Sequence, residues 1–294
     1  MYIFAILFLI FSYDVFSTPE LYTLYCDDCD IILGGVIPIY SKDDKGKCVR
    51  NSFNDWAMPR AEAMLFAVDQ VNKNPNLLGN HTLGIHIQNT CGVESVATNR
   101  VKNFLQSYSC RRNTTIGKNG APSSIYFAGV VGEMYSKVSK TLATFLQPWN
   151  IPLVSPASTS VGLSDKSRYK YFARTVPSDK FQNRVIVDIL KKLNWTLIST
   201  IFSKTSFPDG IGEFKTLAEE KGICNSVVES IPSNPTYEDF ENVVCTILKQ
   251  DNVNVVVLFT NVENTKGLLN ATTNLAKGTI GRILILNNIC KKIF

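Results

Sequence analysis

Histidine is nearly absent from this chain: His81 and His86 are the only two among 294 residues. They do not form an H-E-x-x-H pair, which removes the zincin class. His86 falls on an alternating strand pattern and His81 in an Asn-x-Thr triplet, so a polar strand face and a loop account for both. No G-x-S-x-G elbow occurs, which argues against an α/β-hydrolase nucleophile. Gly34-Gly35 does not extend to G-x-G-x-x-G, and no G-x-x-x-x-G-K-[ST] loop is present, so dinucleotide and phosphate-loop fingerprints are both missing. Cys26-Asp27-Asp28-Cys29 is a single C-x-x-C, and a zinc centre needs a second ligand pair. A disulfide, local or long-range, is the better reading, and no metal or cofactor is expected. Basic stripes are missing too. The 30 Lys and Arg against 25 Asp and Glu leave a net charge of +5, but the cations are scattered in pairs such as Arg111-Arg112 and Lys191-Lys192. Nucleic acid, which selects clustered cations, is not an expected partner. Beyond the amino terminus no apolar run reaches the roughly 18 residues of a membrane-spanning helix.

What is present points to a secreted globular chain. Hydrophobic residues make up 45% and charged residues 19%. That composition builds a core rather than a disordered coil, and the length fits two globular units. Residues 2–11 form an apolar run too short to cross a bilayer, and Val15-Phe16-Ser17 follows with a small residue at the cleavage point. Residues 1–17 read as a secretory signal peptide, the alternatives being an uncleaved anchor or a buried strand. The cysteines Cys26, Cys29, Cys48, Cys91, Cys110, Cys224, Cys245 and Cys290 then belong to an oxidising compartment. Their even number permits complete pairing without demanding it. Asn-x-Ser/Thr triplets at Asn80, Asn113, Asn194 and Asn270 support a glycosylated exterior.

Short apolar runs alternate with longer amphipathic stretches. Strands are expected over 31–39, 83–87, 125–131, 151–154, 195–202, 223–231, 253–259 and 283–286. Helices are expected over 60–72, 94–108, 137–146, 181–193, 211–221, 237–250 and 263–275. Strand–helix alternation argues for an α/β fold, and runs such as Val255-Val256-Val257-Leu258-Phe259 suit parallel strands covered on both faces. A boundary is expected in 155–177, where turn formers and charges cluster. In such sheets ligands bind beyond the carboxyl ends of the strands. Three ends carry suitable groups: Tyr135-Ser136, Pro156-Ala157-Ser158-Thr159-Ser160, and Ser178-Asp179. A helix start offers free N–H groups and a positive dipole end to a carboxylate, although Ser, Thr and Asp are also the ordinary helix caps.

Several stretches carry a resemblance. Arg60-Ala61-Glu62-Ala63-Met64-Leu65-Phe66-Ala67, Asn74-Pro75-Asn76-Leu77-Leu78, Thr82-Leu83-Gly84, the run from Leu163 to Pro177, and Asn194-Trp195-Thr196 resemble the amino-terminal domain of metabotropic glutamate receptors, in the same order. The resemblance covers nearly all of the chain from Asp30 onward. It implies a two-lobed Venus-flytrap module of the type I periplasmic-binding-protein fold, with parallel sheets flanked by helices. Lobe 1 would take residues 18–175 and lobe 2 residues 176–294, incomplete at the carboxyl end. Such a module binds an amino acid in its cleft and closes. In a homodimer through lobe 1, closure drives a membrane domain that meets the G protein. The resemblance also implies that the rest of lobe 2, the return segment of lobe 1, the Cys-rich spacer and the seven helices are missing from this chain.

The resemblance assigns roles by position. Ser136 matches the serine that takes the ligand's α-carboxylate, Thr159 a threonine touching carboxylate and amine, and Asp179 a carboxylate near the α-amine. Arg60 matches the arginine that reaches the distal carboxylate of glutamate, a role that suits a guanidinium; a surface arginine at a helix start is the alternative. Phe207 stands where the family has a tyrosine, Trp56 where a tyrosine or arginine usually sits, and Asn288 where an aspartate pairs with the amine. Glu133-Met134 replaces small residues ahead of the serine, and a carboxylate there is expected to repel an anionic ligand. Cys48 and Cys91 match a disulfide of lobe 1. Cys110 lies in the loop that carries an inter-subunit cysteine, and Cys224 matches a cysteine bridged to the spacer, so it is expected to be a free thiol unless Cys245 or Cys290 substitutes. The function expected is the extracellular ligand-binding region of a receptor that senses glutamate or a related amino acid. The alternatives are a soluble amino-acid-binding protein and a non-binding decoy; an enzyme is not expected.

Overall fold

The computed structural model describes residues 23–24, 29–43, 45–111, 125–204, 209–250, 253, 255–276 and 282–285. The signal segment 1–17, Cys26, Asn113, Phe207, Asn288 and Cys290 lie outside these residues. Two units share the chain: one takes the residues up to Ser158 together with Lys166–Thr175, the other takes Thr159–Asp165 and the residues from Val176.

In chain order the first unit contains β1 (Thr23–Leu24), β2 (Ile31–Ile37), β3 (Tyr40–Lys42), β4 (Cys48–Phe53), α1 (Met58–Lys73), α2 (Pro75–Leu78), β5 (Leu83–Asn89), α3 (Glu94–Arg111), β6 (Tyr126–Gly132), α4 (Ser136–Leu146), β7 (Leu153–Ser155) and β8 (Phe172–Arg174). Its main sheet runs β1-β5-β2-β6-β7-β8, parallel throughout except at the β1 edge, and β3 and β4 form a separate antiparallel hairpin. α1 starts behind Pro59, whose missing N–H costs nothing in a first turn. It buries Ala61 and Val68 against Ile37, Ile85 and Ile87 of the sheet. The Gly34-Gly35 pair serves packing: a Cβ on Gly34 would sit 2.6 Å from the Phe104 ring of α3, and one on Gly35 2.8 Å from Ile87.

The second unit contains α5 (Asp179–Lys192), β9 (Leu197–Ser203), α6 (Gly210–Glu220), β10 (Cys224–Ile231), α7 (Tyr237–Leu248), β11 (Val255–Phe259), α8 (Val262–Ala276) and β12 (Arg282–Ile285). The sheet order is β10-β9-β11-β12, all parallel. β11 is buried at every position. Its alternate side chains divide between two cores, as the two-residue strand period requires. Val255, Val257 and Phe259 meet Ile186, Leu190 and Phe214 of α5 and α6. Val256 and Leu258 meet Phe240, Val244, Ile247 and Leu268 of α7 and α8. α7 opens with a capping box, Thr236 Oγ1 accepting from the Asp239 N–H at 3.3 Å and the Asp239 carboxylate accepting from the Thr236 N–H at 2.8 Å.

The expected strands and helices are present, with ends displaced by three residues at most. Five elements were not expected: β1, β3 and β4 of the hairpin, α2 and β8. Each is short or broken by charge, so none carries a readable period. Thr159–Asp165 groups with the second unit, whereas the expected division left it in the first. Its hydrogen bonds explain this: the Asp179 N–H donates to the Thr159 carbonyl at 2.9 Å, and Ser160 Oγ donates to Asp209 at 2.6 Å. Cys110 lies in the last turn of α3 rather than in a loop, because the helix continues to Arg111.

Asp30 ties the starts of β2 and β5 together, its carboxylate accepting from the Thr82 N–H at 2.8 Å and the Thr82 hydroxyl at 3.0 Å. The Thr82 amide above all, then its hydroxyl and the nearby His81, hold the Asp30 carboxyl below its ordinary value against the opposing effect of burial. A depressed folded-state pKa contributes stability above the unfolded value of about 4, and this is lost as pH falls through the folded value. Asp30→Asn should therefore lower the thermal midpoint at pH 7, and the gap to wild type should narrow as pH falls through the lowered folded-state value. Melting curves across pH 2–7 check this; a gap that persists in acid would contradict it.

Candidate functional site

Three strand ends of the first unit meet at one residue. β6 finishes at Gly132 with φ +118°, and a Cβ there would fall on the Val36 carbonyl oxygen. The Gly132–Glu133 peptide is cis. Glu133 is fully buried. Its carboxylate accepts from the Thr90 hydroxyl beyond β5 at 2.5 Å and from the N–H groups of Met134 and Tyr135 at 2.8 and 2.9 Å. Its carbonyl oxygen accepts from the hydroxyls of Ser155 at 2.6 Å, Ser158 at 3.2 Å and Ser139 at 3.3 Å. The carboxylate expected to confront a ligand is thus turned inward, because these amides and a hydroxyl solvate it there.

Ser136 is the first residue of α4 and half-buried. The preceding Tyr135 makes no side-chain cap, so no tyrosine oxygen takes the first-turn N–H groups. The Tyr135 ring packs on Gly92, where a Cβ would stand 2.6 Å away, and meets the Trp56 ring edge-on at 6.1 Å between centroids. Burial first, then the Glu133 carboxylate, raises the Tyr135 hydroxyl pKa. Arg60 of α1 lays its guanidinium over Trp56, 5.2 Å from the ring centroid, and donates to the Trp56 carbonyl at 2.6 Å. Trp56, Arg60 and the Tyr135-Ser136 turn therefore form one cluster. The Cys48–Cys91 disulfide anchors its far side, joining β4 to the turn after β5.

In the second unit Thr159 adjoins Asp179 through the backbone hydrogen bond that joins its segment to α5. Asp179 opens α5 behind the N-cap Ser178 and is 7% exposed. The neighbouring start of α6 is tied in by Asn183, which donates to the Gly210 carbonyl at 3.0 Å, and by Asp209, which accepts from Ser160. Asp209, Asn183, Thr90 and Gly132 were not singled out from the sequence. The signal for Asp209 was an acid just ahead of a glycine-led helix; the other three depend on contacts far apart in sequence.

The triplet asparagines Asn80, Asn194 and Asn270 are exposed. Cys224 and Cys245 are free thiols, Cys224 exposed, and Cys29 is disulfide-bonded. Among the described residues no helix is long and apolar enough to cross a membrane, and no group of three or more His, Cys, Asp or Glu is placed to hold a metal.

Comparison with known proteins gives a consistent answer. Residues 59–288 match the receptor family ligand binding region. The chain is 39% identical to the metabotropic glutamate receptor of Drosophila melanogaster over 254 residues, which is 82% of this chain and 26% of that receptor. It is 34% identical to human metabotropic glutamate receptor 8 over 255 residues, 84% of this chain and 28% of the relative. It is 35% identical to metabotropic glutamate receptor 4 of Macaca fascicularis over 251 residues, 83% of this chain and 28% of the relative. The chain thus spans about a quarter of the length of these curated relatives.

Among the described glycines, Gly132 is the one where a Cβ would collide most closely. Gly132→Ala should cost more than about 3 kcal/mol, since both the positive φ and the collision with Val36 oppose it. Chemical denaturation checks this; an unchanged midpoint would contradict the geometry.

Proposed function

The chain belongs to the family of receptor ligand-binding regions, and from that premise we propose that it forms the extracellular amino-acid-sensing region of a metabotropic glutamate receptor-like G-protein-coupled receptor. The observation that supports this reading is the opposite chemistry of the two helix starts. At α4 a serine hydroxyl stands beside first-turn N–H groups that no Tyr135 side-chain cap takes, which suits a carboxylate. At α5 the nine-tenths-buried Asp179 suits an ammonium group. An amino acid carries both charges.

In this reading Ser136 and Thr159 take the α-carboxylate through charge-assisted hydrogen bonds, each worth roughly 1.5–3 kcal/mol. Asp179 selects the α-amine. Arg60 favours an acidic group at the far end of the ligand, but that group competes with the Trp56 carbonyl for the guanidinium. Trp56, Phe207 and Asn288 complete the proposed ligand set. The chain enters the secretory pathway behind residues 1–17, carries glycans at Asn80, Asn113, Asn194 and Asn270, and stands on the extracellular face. It pairs with a second copy through the first unit, with Cys110 as the candidate inter-subunit thiol. A G protein is reached only through a membrane domain outside this chain. The proposed role is recognition, not catalysis.

Calorimetry with a panel of amino acids tests the proposal. Thr159→Ala should weaken every ligand, by about tenfold for one lost charge-assisted bond. Arg60→Ala should weaken acidic ligands only. Failure of the whole panel to bind would refute amino-acid sensing, and an unchanged acidic preference in Arg60→Ala would remove Arg60 from the distal position.

A further inference from the structure

Two of the Asn-x-Thr triplets occupy opposite settings within the second unit. Asn194-Trp195-Thr196 fills the turn between α5 and β9, outside any helix or strand, and both Asn194 and Thr196 are exposed. Asn194 bends the chain there with φ +55°, a conformation that asparagine tolerates. Asn270-Ala271-Thr272 lies inside α8, more than a turn from either end. Asn270 is exposed, but Ala271 is fully buried in the core with Ile201, Phe240 and Val256. Thr272 is half-buried and lines a small apolar cavity with Ile247, Leu258 and Leu268. Resting on the secretory reading above, we propose that Asn270 accepts a glycan only before α8 forms, whereas Asn194 remains an acceptor in the folded chain.

The chemistry sets the requirement. The donor is an oligosaccharide carried on a lipid diphosphate. Transfer forms a bond from the asparagine Nδ2 to C1 of the first sugar and breaks the C1–O bond to the carrier. The amide gives up one proton to solvent, and the lipid diphosphate leaves with the electron pair. The transferase must hold the asparagine amide and the hydroxyl two residues on at the same time. An α-helix turns about 100° per residue, so the side chains of Asn270 and Thr272 point about 200° apart. One reaches solvent while the other faces the cavity, and no enzyme surface meets both while α8 is intact. Exposing the triplet means opening the helix at its middle and withdrawing Leu268 and Ala271 from the core, which is not the fraying of an end. The turn at Asn194 is held differently. Its bonds are backbone bonds, from the Asn194 N–H to the Lys191 carbonyl at 3.0 Å and from the Cys224 N–H to the Thr196 carbonyl at 2.7 Å, and they leave both side chains at the surface. A chain whose α8 closes before transfer therefore keeps Asn270 bare. Occupancy at Asn270 records the order of transfer and folding, and occupancy at Asn194 does not.

The test uses the full chain made with glycosylation blocked, purified folded, and given an oligosaccharyltransferase with its lipid-linked donor. Glycopeptide mass spectrometry reads each site over time. Leu268→Pro is the opened counterpart, because proline breaks α8 just ahead of the triplet without altering it. In the folded wild type, Asn194 should be modified at least about tenfold faster than Asn270. In Leu268→Pro, Asn270 should rise at least about tenfold while Asn194 stays within about twofold of wild type. Equal modification of the two sites in the folded wild type would overturn the proposal. So would a Leu268→Pro chain whose Asn270 stays unmodified, since the helix would then not be the barrier, and so would failure of both sites in both proteins. The transferase is supplied in vitro, so this contrast does not depend on the route the chain takes in a cell. Absence of glycans from all sites on the chain recovered from secreting cells would refute the secretory reading instead.

Discussion

A parallel sheet brings all its strand ends to one edge, and the polar groups of every strand-to-helix turn must be satisfied there. That constraint organises both units. In the first, one residue meets most of the demand: Glu133 engages Thr90 beyond β5, the turn after β6, and Ser155 and Ser158 at and beyond the end of β7. Gly132 is its precondition, because only a residue without a side chain can pass the Val36 carbonyl and deliver the next residue into the interior. In the second unit the work is divided among Thr159 with Asp179, Ser160 with Asp209, and Asn183 with Gly210.

Much of this architecture is legible from the chain alone, for particular reasons. Val255-Val256-Val257-Leu258-Phe259 admits only a strand covered on both sides, and the structure covers it with α5 and α6 on one face and α7 and α8 on the other. α1 shows its inner face as Ala61, Met64, Leu65, Val68 and Val71, at helical spacing. By contrast β1 is two residues long, and β4 mixes Arg50, Asn51 and Ser52 with its apolar residues. Neither has a period to read. The allegiance of Thr159–Asp165 was hidden for another reason: its partners, Asp179 and Asp209, lie 20 and 49 residues away from Thr159 and Ser160.

The proposed site rests on a different kind of signal. Ser136, Thr159, Asp179 and Arg60 stand out through resemblance, since each taken alone reads as an ordinary cap or a surface cation. The local chemistry of Glu133 was not legible at all. A glutamate ahead of a helix start normally faces water, and its inward turn depends on the backbone at Gly132 and on a hydroxyl 43 residues earlier. The packing of Tyr135 on Gly92 and Trp56 likewise joins three segments that sequence spacing does not connect. This cluster gives the first unit an aromatic wall and a guanidinium already engaged by the turn ahead of its own helix, features that bear on ligand size and charge.

The central proposal is that this chain binds an amino acid. Hydrogen exchange read by mass spectrometry, with and without a saturating amino-acid panel, tests it most directly. The account predicts slowed exchange in peptides covering 132–138 and in those covering 159–160 and 178–183, with the remaining strands unchanged. Protection confined to other segments, or no protection by any amino acid, would contradict it.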